Sequence, residues 1–189
     1  MNIPSQAAPD GSPQSTPPSR RRALYAGVAA AAALGGAGLA WWKFQPHALT
    51  VADTVLWDMS FAMPDGGKLV MQSLRGKPLL VNFWATWCPP CVDEMPLLDK
   101  FYRENVSNSW QVVGLAIDQP DPVKRFLHRT PVSYPVGMAG PGGTTLVRTL
   151  GDTAGGLPFS VVFNRAGVLI HRKIGKLAPQ DLTHWTQRS

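Results

Sequence analysis

Cysteine is scarce in this chain, because its 189 residues include only Cys88 and Cys91. Two thiols are too few for a disulfide-stapled scaffold or a four-thiolate zinc site. None of the four histidines has ligand spacing to another, which disfavours a zinc site built from the cysteine pair and histidine. The Cys-Pro-Pro-Cys segment is therefore the most informative feature of the sequence.

Acidic residues are also few, since 12 Asp and Glu stand against 18 Lys and Arg, for a net charge of +6. Three of the positive charges form the run Arg20–Arg22, directly before an apolar stretch, and the other Lys and Arg form no basic stripe. A membrane-proximal cluster explains the excess better than a nucleic-acid partner. No Gly-x-y period is present despite 18 Gly and 18 Pro, which excludes collagen-like and repeat architectures.

The N-terminal quarter of the chain predicts a membrane attachment. Residues 1–22, rich in proline and ending in the arginine cluster, predict a disordered cytoplasmic tail. Residues 23–42 supply about the twenty uncharged residues that a transmembrane helix needs, with Trp41 and Trp42 at the expected interface. Because basic residues stay on the cytoplasmic side, we expect everything after Lys43 to lie in the bacterial periplasm, held at the inner membrane.

The nature of this attachment stays open. Residues 19–24 resemble a twin-arginine export signal, and Gly38–Ala40 offers small residues at which a signal peptidase could cut. Residues 23–42 are thus a transmembrane anchor or uncleaved signal, or else a cleaved signal that releases a soluble periplasmic protein. In each case residues 43–49 are a linker, and residues 50–189 form one domain of ordinary size.

The patterns in residues 50–189 predict an α/β fold. A continuous apolar run at Leu79–Trp84 predicts a strand buried on both faces, and apolar residues at intervals of three and four predict a helix over Pro89–Asn105. The other predicted elements are a strand at Trp110–Ile117, helices at Pro122–Arg129 and Pro179–Gln187, and hairpins pairing Trp57–Phe61 with Lys68–Met71 and Phe159–Asn164 with Gly167–Arg172. This order predicts a sandwich with a central mixed β-sheet, flanking helices and an N-terminal β-hairpin extension.

The cysteine pair has the context of a redox motif, because it follows a buried strand and opens a helix. At a helix N-terminus, unpaired amides and the helix dipole favour a thiolate on Cys88. Pro89 fits the first helical position, and two intervening residues let the sulfurs close into a disulfide that exchanges two electrons. We expect Cys88 to be the exposed attacking thiol and Cys91 the partly buried resolving thiol. Two inert core thiols are the less favoured alternative.

The segment Phe83–Cys91, with Pro96 five positions after the second cysteine, resembles the thioredoxin superfamily. Membrane attachment and the N-terminal hairpin are similar to its TlpA-like and ResA-like membrane-anchored branch. The resemblance implies a thioredoxin-like fold and a thiol-disulfide oxidoreductase that needs no cofactor. It implies as partners disulfide-bearing envelope proteins and a membrane thiol transporter that supplies electrons. The extra helix-containing insert of that branch is matched by residues 118–143.

The resemblance also implies roles for individual residues. Pro158 aligns with a cis-proline that faces the dithiol and presents the backbone of Leu157 to a substrate segment. Trp87 aligns with a tryptophan that packs beside the dithiol and shields it. Phe159 departs from the family pattern, which usually has Thr there, and the resemblance therefore leaves the shape of the substrate groove open.

Proton transfer at the second thiol is the other implied role. Thioredoxins carry a buried Asp in the strand before the motif, but this chain has Asn82, which cannot titrate. TlpA-like proteins often place a Glu three residues after the second cysteine, and Glu94 stands there. We expect Glu94 to exchange a proton with Cys91, the alternative being a solvated glutamate in the first helical turn.

Two other functions compete with disulfide exchange. A copper or haem-delivery protein could hold its cargo through Cys88 and Cys91, but only Met138 and His171 are candidates for a third soft ligand, and only by default. A thiol peroxidase needs Thr three residues before its cysteine, whereas Thr86 lies two before Cys88. Among redox directions we favour reduction, for example during cytochrome c or oxidase maturation.

Overall fold

A computed structural model describes residues 50–187 of the chain. The predicted tail (1–22), membrane segment (23–42) and linker (43–49) lie outside the described residues. Within residues 50–187, no helix is both long and apolar enough to cross a membrane.

The described residues form seven strands and five α-helices. The strands are β1 (Ser60–Ala62), β2 (Lys68–Val70), β3 (Leu79–Trp84), β4 (Gln111–Ala116), β5 (Val136–Met138), β6 (Phe159–Phe163) and β7 (Leu169–Ile174). The helices are α1 (Val51–Thr54), α2 (Pro89–Asn105), α3 (Pro120–Arg129), α4 (Gly143–Leu150) and α5 (Pro179–Thr186). Short 3₁₀ turns cover Met71–Leu74, Val106–Asn108 and Gly140–Gly142.

The strands form one mixed sheet in the order β2-β1-β5-β4-β3-β6-β7. Strands β3, β4 and β5 run parallel, and every other neighbouring pair is antiparallel. The predicted mixed sheet with flanking helices and an N-terminal hairpin is therefore confirmed. The hairpin joins the main sheet where Ala62 pairs with Met138.

Several predicted boundaries were wrong. Trp57 does not begin a strand, because it lies in the turn after α1, where its amide donates to the Thr54 carbonyl at 3.1 Å, and β1 begins only at Ser60. Its buried indole donates a hydrogen bond to the Gly167 carbonyl. Helix α3 starts two residues early, at Pro120, where a proline at the first helical position costs no hydrogen bond. Lys124, Arg125 and Arg129 all lie exposed on α3 and form a local basic group.

The sheet separates two hydrophobic layers. Leu80 and Trp84 of β3 face a layer that also holds both cysteines and residues of α2, α3 and α5. Leu79, Val81 and Phe83 face the opposite layer, which includes residues of α4. Because β3 is buried throughout, its alternation decides which layer each side chain joins. We call these the dithiol layer and the far layer.

Candidate active site

The two cysteines form a disulfide at the carboxyl end of β3. Their sulfurs are 2.03 Å apart and their Cα atoms 5.3 Å apart. Strand β3 ends at Trp84 and α2 begins at Pro89, so a short turn carries Cys88 to the helix N-terminus. The strand-turn-helix context predicted from the sequence is confirmed.

The first turn of α2 offers few amide donors to Cys88. The amides of Cys91 and Val92 both donate to the Cys88 carbonyl, at 3.1 and 3.2 Å. A side chain at the N-cap normally accepts from the second or third helical amide. Here the second position is Pro90, which has no N–H, and the third is Cys91, whose amide is already directed at a carbonyl. A Cys88 thiolate therefore lacks the donors of an ordinary N-cap.

Both cysteines are buried in this disulfide state, with exposed fractions of 5% for Cys88 and 0% for Cys91. In this disulfide state Cys88 therefore lacks the exposure expected of the attacking thiol. Trp87 instead remains 66% exposed. Beside it lies a cavity of about 210 Å³, whose other lining residues are Ile117, Asp118, Gln119, Gly140 and Pro141.

Glu94 lies inside the protein, with an exposed fraction of 1%. Its Oε1 accepts a hydrogen bond from Asn82 Nδ2, and its Oε2 accepts one from the Leu177 amide, each at 2.6 Å. Burial raises the pKa of this carboxyl above its ordinary value, although the bonds from Leu177 and Asn82 and the charge of Lys176 oppose the change. The alternative of a solvated first-turn glutamate is therefore wrong.

Asn82 links the glutamate to the strand that follows Pro158. Its Nδ2 also donates to Ser160 Oγ at 3.0 Å, and the two residues are direct partners in the β3–β6 register. Among the described residues, Asn82 Oδ1 has no hydrogen-bond partner. Sequence reasoning missed Ser160 and the Leu177 amide, because only the tertiary fold brings these distant positions to Glu94.

The loop before β6 reaches the same edge of the sheet. The Leu157–Pro158 peptide bond is cis, the geometry that the family resemblance implies. Phe159 pairs with Phe83, so Pro158 lies level with the end of β3. Buried Asp152 holds the loop by accepting hydrogen bonds from the amides of Ala154 (3.1 Å) and Gly156 (2.8 Å).

Asp118 holds the turn that precedes Cys88, and sequence reasoning did not single it out. Its Oδ2 accepts from Thr86 N at 2.9 Å and from Thr86 Oγ1 at 2.6 Å, while Oδ1 accepts from Gln119 N at 2.7 Å. Asp118 follows β4, which is parallel to β3, and the carboxyl ends of parallel strands share one edge of the sheet. This position could have identified Asp118 from the sequence as a residue near Cys88.

The two candidate third ligands for a metal lie in different places. Met138 is paired with Ala116, which is paired with Trp84, so Met138 lies at the dithiol edge. His171 is level with Leu80, four residues before Trp84 along β3. Within residues 50–187, no cluster of three His, Cys, Asp or Glu side chains could hold a metal ion.

Comparison with known proteins gives one family. Residues 50–184 match the Redoxin family. The chain is 29% identical over 125 residues to the thiol-disulfide oxidoreductase ResA of Bacillus cereus, an alignment that covers 66% of this chain and 70% of the relative.

Two solved structures of similar proteins share the fold. A thioredoxin-related protein from Neisseria meningitidis serogroup B is 35% identical with a TM-score of 0.60, covering 68% of this chain and 96% of that one. A thioredoxin-family thiol:disulfide interchange protein from Chlorobium tepidum TLS is 31% identical with a TM-score of 0.59, covering 68% and 90%. The chain therefore belongs to the Redoxin family, and with its Cys88–Cys91 pair it is a ResA-like thiol-disulfide oxidoreductase of the thioredoxin superfamily.

Proposed function

We propose that this protein is a reductase of the bacterial envelope, which reduces disulfides in exported proteins, for example during cytochrome c or oxidase maturation. The observation that carries the direction is the missing donor at Pro90 together with the occupied Cys91 amide. With little to stabilise a Cys88 thiolate, the reduced form is disfavoured and the dithiol gives up its electrons readily.

In the proposed cycle, the reduced protein acts first through Cys88. Its thiolate attacks a substrate disulfide, forms a mixed disulfide and releases one substrate thiolate. Glu94 takes the proton of Cys91, which lies one helical turn away on the same buried face. The Cys91 thiolate then attacks Cys88 Sγ, which closes the Cys88–Cys91 disulfide and releases the second substrate thiolate. Two electrons pass to the substrate, and Glu94 returns its proton to solvent or to the leaving thiolate.

The substrate is expected to bind along the edge formed by the Leu157–Pro158 loop and Trp87. Leu157 is half-buried and offers its backbone beside the end of β3, where a strand-like peptide could pair. The exposed Trp87 and the cavity beside it would receive an apolar side chain of that peptide.

The proposed setting is the periplasmic face of the inner membrane, with residues 23–42 as anchor and a membrane thiol transporter as electron donor. Anchoring would raise the effective concentration of the two partners. A reporter fused after Ser189 should be active in the periplasm. The fusion protein should fractionate with membranes. Cytoplasmic reporter activity would contradict this location.

The reduction potential tests the direction. We expect a value nearer the roughly −270 mV of thioredoxin than the roughly −120 mV of the periplasmic oxidase, measured by equilibration of the full-length protein with glutathione. A potential above about −170 mV would make it an oxidase or isomerase instead. A Cys91→Ser variant in native membranes should accumulate mixed disulfides on Cys88, and mass spectrometry of these adducts would identify the substrates.

A further inference from the structure

A hydrogen-bonded group of three buried polar side chains lies where the sheet contacts α2: Asn82, Glu94 and Ser160. They come from β3, α2 and β6, and their exposed fractions are 0%, 1% and 0%. In this group Asn82 only donates, because its Nδ2 bonds Glu94 Oε1 and Ser160 Oγ. Glu94 only accepts, through both oxygens. This pattern fits an ionised carboxylate, which has no proton to donate.

Protonation makes Glu94 a hydrogen-bond donor, which requires an acceptor from Asn82 instead of a donor. A hydroxyl at Oε1 would face the Asn82 N–H, donor against donor. Rotation of the Asn82 amide by about 180° would turn Oδ1 toward both Glu94 and Ser160, and a serine hydroxyl can donate as well as accept. Either orientation leaves one end of the amide without a partner among the described residues, as Oδ1 is now. Each arrangement gives the Asn82 amide two hydrogen bonds. Within residues 50–187, the present one leaves Oδ1 unpaired, and the reversed one would leave the two Nδ2 hydrogens unpaired.

We propose that Asn82 is a positioning residue that holds Glu94 in both of its protonation states, by reversing its amide when Glu94 gains a proton, while the Ser160 hydroxyl changes from acceptor to donor. The only proton that changes residue is the one shared by Cys91 and Glu94. Asn82 keeps both amide hydrogens, and Ser160 keeps its hydroxyl hydrogen. The importance of the amide reversal for catalysis rests on the proposed role of Glu94, but the reversal itself can be tested separately.

Other charged groups near Glu94 must be accounted for in such a test. Lys176 lies in the loop before α5 and pairs with Asp93 at 3.0 Å. Burial would raise the pKa of Asp181 on α5, but hydrogen bonds from Ala178 and Lys173 lower it overall, so this carboxyl stays ionised. Burial raises the pKa of Tyr134, which therefore stays protonated. The cysteines cannot titrate while joined as a disulfide, so the oxidised protein isolates Glu94 within this group.

The primary test is an NMR titration of the oxidised full-length protein in detergent, from about pH 4 to about pH 9. We expect the side-chain amide signals of Asn82 to shift with the same midpoint as the Glu94 carboxyl carbon. Asn105, whose Nδ2 bonds the Phe101 carbonyl at the other end of α2, is the matched control and should not follow that midpoint. Glu94 titrating while the Asn82 amide stays constant would overturn the proposal.

Glu94→Gln fixes a neutral side chain at this site. Its amide N–H should hold Asn82 in the reversed orientation at every pH, with the Leu177 amide still bonded to the glutamine carbonyl. The Asn82 signals of this variant should therefore match those of the acid form of the wild type. Signals that match the alkaline form would refute the reversal.

Variants separate this proposal from the proposed role of Glu94. Asn82→Leu removes a hydrogen bond from both protonation states of Glu94 if the amide reverses, so the Glu94 inflection in the pH dependence of the midpoint potential should move by less than about one pH unit. A fixed donor to the carboxylate alone would instead give a rise of about one to two units. Asn105→Ala should leave that inflection in place. If Glu94→Gln leaves the profile unchanged, Glu94 is not the proton acceptor. If Glu94→Gln removes the inflection and Asn82→Leu moves it up by about one to two units, Glu94 keeps its role and Asn82 is a fixed donor without the reversal proposed here.

Discussion

Replacing Pro90 by alanine should make the dithiol more oxidising. The substitution restores an N–H at the second helical position, the place from which an N-cap side chain normally receives a hydrogen bond. Pro90 is exposed, so its ring can be removed without leaving a cavity in the core. The new amide should bond the Cys88 thiolate, which exists only in the reduced protein.

The size of the effect follows from one hydrogen bond to a charged sulfur. Such bonds contribute about 1.5 to 3 kcal/mol, and we take the lower end because the helix start borders solvent. About 1.5 kcal/mol lowers the pKa of Cys88 by about one unit. The same energy raises the two-electron potential by about 30 mV at a pH where Cys88 is ionised. The pKa is measured from the pH dependence of alkylation, and the potential by glutathione equilibration.

Pro96→Ala is a matched control, because it makes the same exchange at an exposed position in α2, away from the sulfurs. We expect it to change helix stability but to leave both the Cys88 pKa and the potential at their wild-type values. An unchanged or lower potential in Pro90→Ala would refute the inference that missing amides set the redox direction. An equal shift in Pro96→Ala would refute the position dependence.

Three other expectations concern the site. Asp118→Ala should lower the free energy of unfolding by about 2 kcal/mol and Thr86→Val by about 1 kcal/mol. Additive effects in a double-mutant cycle would show that the hydrogen bond from Thr86 Oγ1 to Asp118 Oδ2 contributes nothing. Because burial raises the pKa of Glu94, its stabilising contribution is present at low pH and is lost as the pH rises through that pKa. Urea unfolding of Glu94→Gln should lack this decline, and a parallel decline in both proteins would assign it elsewhere. In the reduced protein Cys88 should alkylate before Cys91, and equal rates would contradict their assigned order.

The sequence predicted the parts of the site that have a local signature. Cys88 and Cys91 are recognisable because an apolar strand precedes them and a periodic helix follows. Hydrophobic alternation and turn residues likewise located most of the sheet. In contrast, β5 has only three residues and α4 contains two β-branched threonines and a glycine in its first turn, so neither has a strong local pattern. Packing of the Leu146 and Leu150 side chains against the far layer compensates for the weak helix propensity.

Residues that act through distant partners escaped prediction for a different reason. Ser160 follows Asn82 by 78 positions, and Leu177 follows Glu94 by 83, so no spacing rule connects them. Leu177 contributes only its backbone amide, which any residue except proline could supply. The burial of Glu94 was likewise unpredictable from its place in the first turns of α2, where a glutamate is normally solvated.

The division of the core into two layers has a consequence for engineering. Phe83 and Phe159 stack in the far layer with ring centres 6.0 Å apart, whereas both cysteines belong to the dithiol layer across the sheet. Substitutions that conserve volume in the far layer can therefore alter thermal stability without changing the surroundings of the sulfurs. A more heat-resistant version of this protein with an unchanged redox potential is best sought in that layer.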